Sequence, residues 1–94
     1  MSASEFEWDD AKLSRNIKVH RIDFRDVHQI FDGPHLVQAS TYAAEERFLA
    51  IGFLEGREVT VVFTIRNGKR RIISARPASR YERETFQETR NRQG

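Results

Sequence analysis

The sequence has 94 residues, 38% of them hydrophobic and 32% charged, which is the length and composition of one soluble domain with a modest core. The absence of cysteine excludes a disulfide framework and a thiolate metal site, and no apolar run approaches the roughly 20 residues that a membrane helix needs. The net charge is only +2, but residues 66–94 carry nine Lys/Arg against three Asp/Glu. This asymmetry predicts either a surface for a polyanion or acidic partner, or a solvated basic face. We therefore expect a single domain over residues 1–94, in the cytoplasm and not in a membrane.

Two helices are predicted in the first third of the chain, after a short strand at residues 6–8. Asp9 is a candidate N-cap for the first helix, which covers roughly residues 9–20. The second helix begins near Asp23, and we expect Gly33 to end it with a left-handed C-cap. Its apolar stripe consists of Phe24, Val27, Ile30 and Phe31.

A run of strands follows. The candidate strands cover residues 35–39, 47–54, 57–65 and 69–75. Glu55-Gly56 is typical of a tight hairpin turn, and Asn67-Gly68 is the strongest short signal for a type I′ turn. In the last strand, strict alternation places Arg71 and Ser74 on opposite faces. The pattern therefore predicts an antiparallel meander of three or four strands.

A capping box predicts the last helix. Ser79 and Glu82 have the S-x-x-E spacing of such a box, and the helix then runs to about residue 90. Helices and strands thus occur in separate runs, which is typical of the α+β class. The expected fold has two N-terminal helices, a three- to four-stranded antiparallel β-meander and a C-terminal helix.

Basic side chains concentrate on the last predicted hairpin and the start of the last helix. Lys69 and Arg71 share one face of the last strand, and Arg76 falls at its end. Arg80 and Arg83 share a face of the helix because they are three residues apart. Guanidinium groups on rigid elements suit bidentate contacts with phosphates, so this cluster could neutralise several of them. The alternative is an exposed hairpin kept soluble by its charge.

Two side chains could transfer a proton beside such a cluster. His20 lies near the C-terminus of the first helix, where the helix dipole favours the protonated imidazole, and it could act as a general acid or base. Glu82 could be the base that takes the proton from a ribose 2′-hydroxyl. Each has a structural alternative. His20 would be a core histidine bonded to a backbone carbonyl, and Glu82 would only complete the capping box.

No spacing in the sequence is typical of a metal or cofactor site. His20, His28 and His35 do not form the i, i+4 pair of helical zinc sites. The glycines are dispersed, so no phosphate-binding loop is present. We therefore expect neither a metal nor a cofactor.

Several stretches taken together resemble one known family, the BrnT toxins. They are F-E-W-D at residues 6–9, Lys12, Asn16 and His20 in the first helix, Gly52, R-I-I-S-A-R at residues 71–76, and Glu82. The resemblance extends over residues 6–86, nearly the whole chain.

The resemblance implies a compact relative of the RelE-type ribonucleases, acting as the toxin of a bacterial type II toxin–antitoxin system. Such a toxin would cut RNA without a metal and inhibit translation. A BrnA-like antitoxin would bind and neutralise it, and DNA would be contacted only through the antitoxin complex. We expect the antitoxin to cover the basic hairpin and last helix, because masking the active face is the simplest inhibition.

The resemblance also suggests roles for individual residues. Arg76 would stabilise the charge that builds on phosphorus, while His20 or Glu82 would transfer the proton of the attacking 2′-hydroxyl. The product would carry a 2′,3′-cyclic phosphate. The predicted RNA-binding residues are Lys69, Arg71, Arg80 and Arg83.

Two positions depart from the family pattern. Val19 stands where the family usually has a lysine directly before His20, and Lys18 is one residue earlier, about 100° around the helix. Phe86 stands where the family tends to have a tyrosine near the end of the last helix. The alternative function is therefore a weakened or inactive basic module that binds RNA or a partner without cutting.

Overall fold

A computed structural model describes residues 5–42 and 45–93. The strands are β1 (Phe6–Glu7), β2 (His35–Tyr42), β3 (Glu45–Leu54), β4 (Arg57–Arg66) and β5 (Lys69–Pro77). The helices are α1 (Asp10–His20), α2 (His28–Asp32) and α3 (Arg80–Gln93), and Phe24–Asp26 forms a 3-10 turn. No helix in these ranges has the length and apolar composition needed to cross a bilayer.

The strands form one mixed sheet in the order β1-β5-β4-β3-β2. β2 to β5 are the antiparallel meander, and β1 pairs in parallel with β5 through Phe6–Arg70 and Glu7–Arg71. The α+β class is confirmed. The predicted purely antiparallel sheet of three or four strands is wrong in detail. The described residues form five strands, and the edge strand β1 is parallel to its neighbour β5. A two-residue strand is too short to produce an alternating pattern, so its pairing could not be inferred.

Both predicted hairpin turns are confirmed. Glu55 and Gly56 have φ of 51° and 80°, and Asn67 and Gly68 have φ of 54° and 76°. Positive φ at both central residues is the type I′ geometry, whose twist matches that of the strands it joins. The two turns therefore fix β3, β4 and β5 as consecutive neighbours.

The first helix is confirmed and the second is corrected. The carboxylate of Asp9 accepts from the amide of Ala11 at 3.0 Å, as an N-cap does. Asp23 likewise acts as an N-cap, because its carboxylate accepts from the amide of Arg25 at 2.9 Å, but the turn that it begins is a 3-10 turn. The predicted single helix is instead divided into this 3-10 turn and a five-residue α2. Gly33 is extended, with φ −110° and ψ −169°, so the predicted left-handed C-cap is wrong.

The sheet buries a core on each face. On the face covered by α1 and α2, the α1/α2 face, the core includes Ile22, Phe24, Val27, Ile30, Val59, Val61, Phe63 and Ile72. On the opposite face, the α3 face, Ile51, Ala78 and Phe86 pack with Leu36 and Phe53. Phe86 is only 1% exposed and forms the centre of this smaller core.

Gly52 lets α2 approach β3 directly. A Cβ atom at this position would lie 2.8 Å from Cγ2 of Ile30 and 3.2 Å from Cβ of His35. Contacts this short require the neighbours to move, so only glycine fits without rearrangement. The glycine shared with the family pattern therefore has a packing reason.

A β-bulge changes which residues of β5 face α3. The pairs across it are Thr64 with Arg71, Val62 with Ser74, and Thr60 with Arg76. The three β4 members of these pairs are two residues apart and share one face, so their three partners share it as well. The extra residue, Ile73, thus moves Ser74 to the same face as Arg71. The predicted opposite placement of Arg71 and Ser74 is wrong because alternation fails across the bulge.

Candidate functional site

Asn16 holds α1 against the open edge of β5. β1 pairs with β5 only at Arg70 and Arg71, so the rest of this edge lacks a neighbouring strand. The amide nitrogen of Asn16 donates to the carbonyls of Ala75 at 2.9 Å and Ile22 at 2.8 Å, and its oxygen accepts from the Ala75 amide at 3.1 Å. The residue is 5% exposed. Asn16 therefore makes the hydrogen bonds with Ala75 that a neighbouring strand would make, and it fixes α1 beside β5.

A groove of about 320 Å³ lies between α1 and β5. Its walls are formed by Lys12, Arg15, Asn16, Val19 and His20 of α1, and by Ile73 and Ser74 of β5. Lys12 and Arg15 are exposed, and neither forms an ion pair with a carboxylate among residues 5–42 and 45–93. The groove therefore offers two cations that are free to bind an anion.

The sequence alone does not indicate a binding role for Lys12 and Arg15. They are about sixty residues away from Ser74, and their contribution becomes apparent only when α1 packs on β5. A local signal was present, because Lys12, Arg15 and Val19 recur at i, i+3 and i+7 and so line one face of a helix.

His20 lies half-buried at the groove, at the C-terminal end of α1. Among the residues described, it makes no hydrogen bond, so the alternative of a core histidine fixed by a backbone carbonyl does not match its surroundings. His20 and Ser74 both line this groove at the open edge of β5, where the strand register places Ser74 on the α3 face. An imidazole in this position can reach a ligand that enters the groove.

Arg76 and Glu82 form a bidentate ion pair on the α3 face. The two terminal guanidinium nitrogens donate to the two carboxylate oxygens at 2.8 and 2.9 Å. Oε1 of Glu82 also accepts from the Ser79 amide at 2.8 Å and from the Thr60 hydroxyl at 2.9 Å. The Ser79 hydroxyl accepts in return from the Glu82 amide at 3.2 Å, which completes the predicted capping box.

These contacts determine the charge state of Glu82. The hydrogen bonds from Arg76 have the largest effect, and those from Ser79 and Thr60 add to it. Together they outweigh the desolvation of the 8%-exposed residue and lower the pKa of Glu82 to about 2. The carboxylate also raises the pKa of Arg76. Glu82 is therefore ionised and fully engaged, and it holds the Arg76 guanidinium in one orientation while other guanidinium N–H groups remain available.

The low pKa predicts how stability depends on pH. A carboxyl group whose pKa falls on folding contributes stability above its unfolded pKa, and this stability is lost as the pH falls through the folded value. We expect Glu82→Gln to lose part of the decline in unfolding free energy between about pH 4.5 and pH 2, as measured by urea denaturation at several pH values. Glu84→Gln, whose ion pair with Arg80 is exposed on both sides, is the control and should keep the wild-type decline. The same dependence of unfolding free energy on pH in Glu82→Gln and wild type would contradict the low pKa of Glu82.

The four predicted RNA-binding residues do not form one cluster. Each has a carboxylate neighbour: Lys69 with Glu5 at 3.8 Å, Arg71 with Glu7 at 3.2 Å, Arg80 with Glu84 at 3.2 Å and Arg83 with Glu58 at 4.0 Å. At about 3.3 Å per residue, Arg71 lies roughly 17 Å from Arg76 along β5. Arg80 and Arg83 instead lie at the start of α3, where Arg83 donates to the Ala78 carbonyl at 3.0 Å. Two of the four thus belong to the start of α3 and two to the far end of β5.

The histidines do not converge on a metal site. His20 lines the groove, whereas Nδ1 of His28 lies 3.1 Å from the Asp32 carboxylate and Nδ1 of His35 lies 2.8 Å from the Gly33 carbonyl. In the described part of the chain, no three His, Cys, Asp or Glu side chains come together as metal ligands. The groups that line the groove are an imidazole, a hydroxyl, an amide and two cations.

Comparison with known proteins places this arrangement in context. A family model described as the ribonuclease toxin BrnT of a type II toxin–antitoxin system matches residues 8–82, which include His20, Arg76 and Glu82. The crystal structure of the Brucella abortus ribonuclease toxin BrnT is similar, with a TM-score of 0.65 and 31% sequence identity, covering 81% of this chain and 97% of that chain. No curated protein matches the sequence.

Proposed function

Because the chain belongs to the BrnT family of ribonuclease toxins of type II toxin–antitoxin systems, we propose that it cleaves RNA by attack of a ribose 2′-hydroxyl, without a metal. The observation that carries this proposal is the groove in which His20 and Ser74 lie beside the uncompensated cations Lys12 and Arg15. Cleavage of RNA in the bacterial cytoplasm inhibits translation, and a BrnA-like antitoxin neutralises the toxin. Contact with DNA occurs only through the antitoxin complex.

The groove binds the phosphate backbone of a single RNA strand. Lys12 and Arg15 neutralise phosphates without first breaking an ion pair. Ser74 and Arg76 share one face of β5 with Cα atoms about 7 Å apart, so a phosphate near Ser74 is within reach of the long Arg76 side chain. Guanidinium groups that are already oriented stabilise charge on the phosphoryl oxygens without reorganisation during the reaction. The two hydrogen bonds of Arg76 with Glu82 fix its guanidinium and support this role for it.

His20 transfers the proton in this mechanism. The 2′-oxygen attacks the adjacent phosphorus and its proton passes to the imidazole. The bond from phosphorus to the 5′-oxygen breaks as that oxygen takes up a proton from water, and the imidazolium later returns its proton to solvent. The products are a 2′,3′-cyclic phosphate and a 5′-hydroxyl. Glu82, with a pKa of about 2, is a weak base, so its role is to position Arg76 rather than to accept this proton.

Lys69, Arg71, Arg80 and Arg83 bind flanking parts of the RNA. The ion pairs of Lys69 and Arg80 are exposed on both sides, and exposed ion pairs contribute little to stability, so exchange of their carboxylate for a phosphate costs little. The carboxylates that pair with Arg71 and Arg83 are partly buried. These residues should contribute to affinity and to its salt dependence more than to the rate of the chemical step.

The test is an assay of the purified protein on labelled single-stranded RNA in EDTA, with His20→Ala and the control His28→Ala. His28 is exposed beside Asp32 and outside the groove, so its removal should leave the rate unchanged. We expect cleavage in EDTA, cyclic-phosphate ends, and a rate roughly 10²- to 10⁴-fold lower for His20→Ala. Cleavage that requires added divalent metal, or products without a cyclic phosphate, would contradict the mechanism.

One observation favours the alternative of a module that binds without cutting. Val19 is 63% exposed and places an apolar side chain in the groove at the position where the family pattern has a lysine. The loss of this cation lowers the positive charge of the groove next to His20. Absence of cleavage together with salt-sensitive RNA binding would support this alternative.

A further inference from the structure

Part of the α1/α2 face is apolar and uncovered. α2 packs over the sheet at Gly52. Beyond it, Val37 and Ile65 are 46% and 47% exposed. They border a second groove, of about 270 Å³, with Phe31, His35, Phe48, Phe63 and Arg70. A sheet face in contact with water normally carries polar residues, so an apolar one indicates that another surface packs against it.

Arg70 gives this surface, the Arg70 patch, a defined charge. Its guanidinium lies 4.3 Å from the ring centroid of Phe31 and 5.4 Å from that of Phe6. No carboxylate pairs with it among the residues described, and burial lowers the pKa of Arg70. Lys69 and Arg71, its neighbours in sequence, both have carboxylate partners. Arg70 is thus a partly desolvated cation, held in place by aromatic rings and without an opposite charge.

We propose that the Arg70 patch binds an amphipathic segment of the antitoxin. Apolar side chains of that segment pack on Val37, Phe48 and Ile65, and one of its carboxylates pairs with Arg70. The inference rests on the proposed function for the existence of an antitoxin. It does not depend on the cleavage mechanism, because Arg70 and Arg76 lie on opposite faces of the sheet.

Two other occupants fit the Arg70 patch less well. An RNA strand needs a row of cations, whereas this groove offers the guanidinium of Arg70 and one imidazole, His35, whose Nδ1 lies 2.8 Å from the Gly33 carbonyl; the other lining side chains are apolar. A second copy of the chain would bring two Arg70 guanidinium groups into one symmetric interface, and the groove lining supplies no carboxylate to separate them. A protein segment with both apolar and acidic side chains can cover the apolar residues of the patch and also supply a carboxylate for Arg70.

The patch is distinct from the surface expected from the sequence, where the antitoxin covers the basic hairpin and α3. The test therefore measures affinity of the full chain for its cognate antitoxin with variants on both surfaces. Ile65→Glu and Arg70→Gln alter the Arg70 patch. Arg80→Gln is the matched control on α3, where the Arg80 side chain is 84% exposed. We expect each patch variant to bind the antitoxin at least tenfold more weakly, and Arg80→Gln to bind within about twofold of wild type.

Several outcomes would overturn the inference. Antitoxin affinity of both patch variants within twofold of wild type would exclude the patch. Loss of RNA binding or of self-association in these variants, with antitoxin affinity retained, would assign it to RNA or to a second copy. If Ile65→Glu does not fold, Ile65→Thr replaces it because threonine keeps the β-branched shape, and weaker antitoxin binding is again expected. Cleavage of RNA by the Ile65 and Arg70 variants at the wild-type rate checks that they are folded. Failure of the wild type to cleave would overturn the nuclease proposal while leaving the patch result intact.

Discussion

Replacement of Arg76 by alanine is expected to lower the rate of RNA cleavage by about 10²- to 10³-fold, the usual effect of removing one oriented donor from a developing negative charge. Arg76 is the one cation of the candidate site that the structure holds by two hydrogen bonds to a single carboxylate. The measurement is the single-turnover rate on labelled RNA in EDTA. Arg57→Ala, exposed at the start of β4, is the control and should cleave as wild type does.

A structural role for Arg76 must be separated from a catalytic one. Arg76→Ala also leaves the buried Glu82 carboxylate without its cation, which lowers stability. The double variant Arg76→Ala/Glu82→Gln removes that unpaired charge, while the amide oxygen can still accept from Thr60 and Ser79. We expect it to regain stability over Arg76→Ala but to remain defective in cleavage. Recovery of cleavage in the double variant would show that Arg76 acts only through folding.

Replacement of Asn16 by leucine is expected to lower the free energy of unfolding by about 3 kcal/mol. The change leaves the amide and carbonyl of Ala75 and the carbonyl of Ile22 without their partner in the interior, and each buried unsatisfied group costs roughly 1–3 kcal/mol. A loss of this size corresponds to a decrease in melting temperature of roughly 12–24 °C in a domain of this length. Urea denaturation and a thermal melt both measure it.

The control for Asn16→Leu is Lys18→Leu in the same helix. Lys18 is exposed, so its replacement should change the unfolding free energy by no more than about 0.5 kcal/mol. Asn16→Leu should also impair RNA binding at temperatures where it remains folded, because Asn16 fixes the wall that carries Lys12 and Arg15. A decrease in unfolding free energy below about 1 kcal/mol would mean that water forms hydrogen bonds with the Ala75 amide and carbonyl in place of Asn16.

The sequence by itself determined the features whose causes are local. Asn67-Gly68 and Glu55-Gly56 form type I′ turns, in which both central residues have positive φ. The signal for each turn lies in the two turn residues themselves. Ser79 and Glu82 form a capping box because both partners lie within one helical turn. The limits of α1 and the α+β class also follow from signals between residues that are close in sequence. The local signals around Asp23 predicted one helix, whereas the segment forms a 3-10 turn over Phe24–Asp26 and a separate α2.

Only the tertiary structure decided the composition of the candidate site. Asn16 bonds to Ala75 across 59 positions and Thr60 to Glu82 across 22, distances at which sequence spacing carries no information on contact. The bulge at Ile73 places Ser74 on the face of Arg76, and α1 then brings His20 to the same groove. Composition indicated a basic protein, but which cations have carboxylate partners and which are free depends on packing. The physical reason is that strand register and side-chain pairing are set by contacts distant in sequence, whereas turns and caps are set by neighbours.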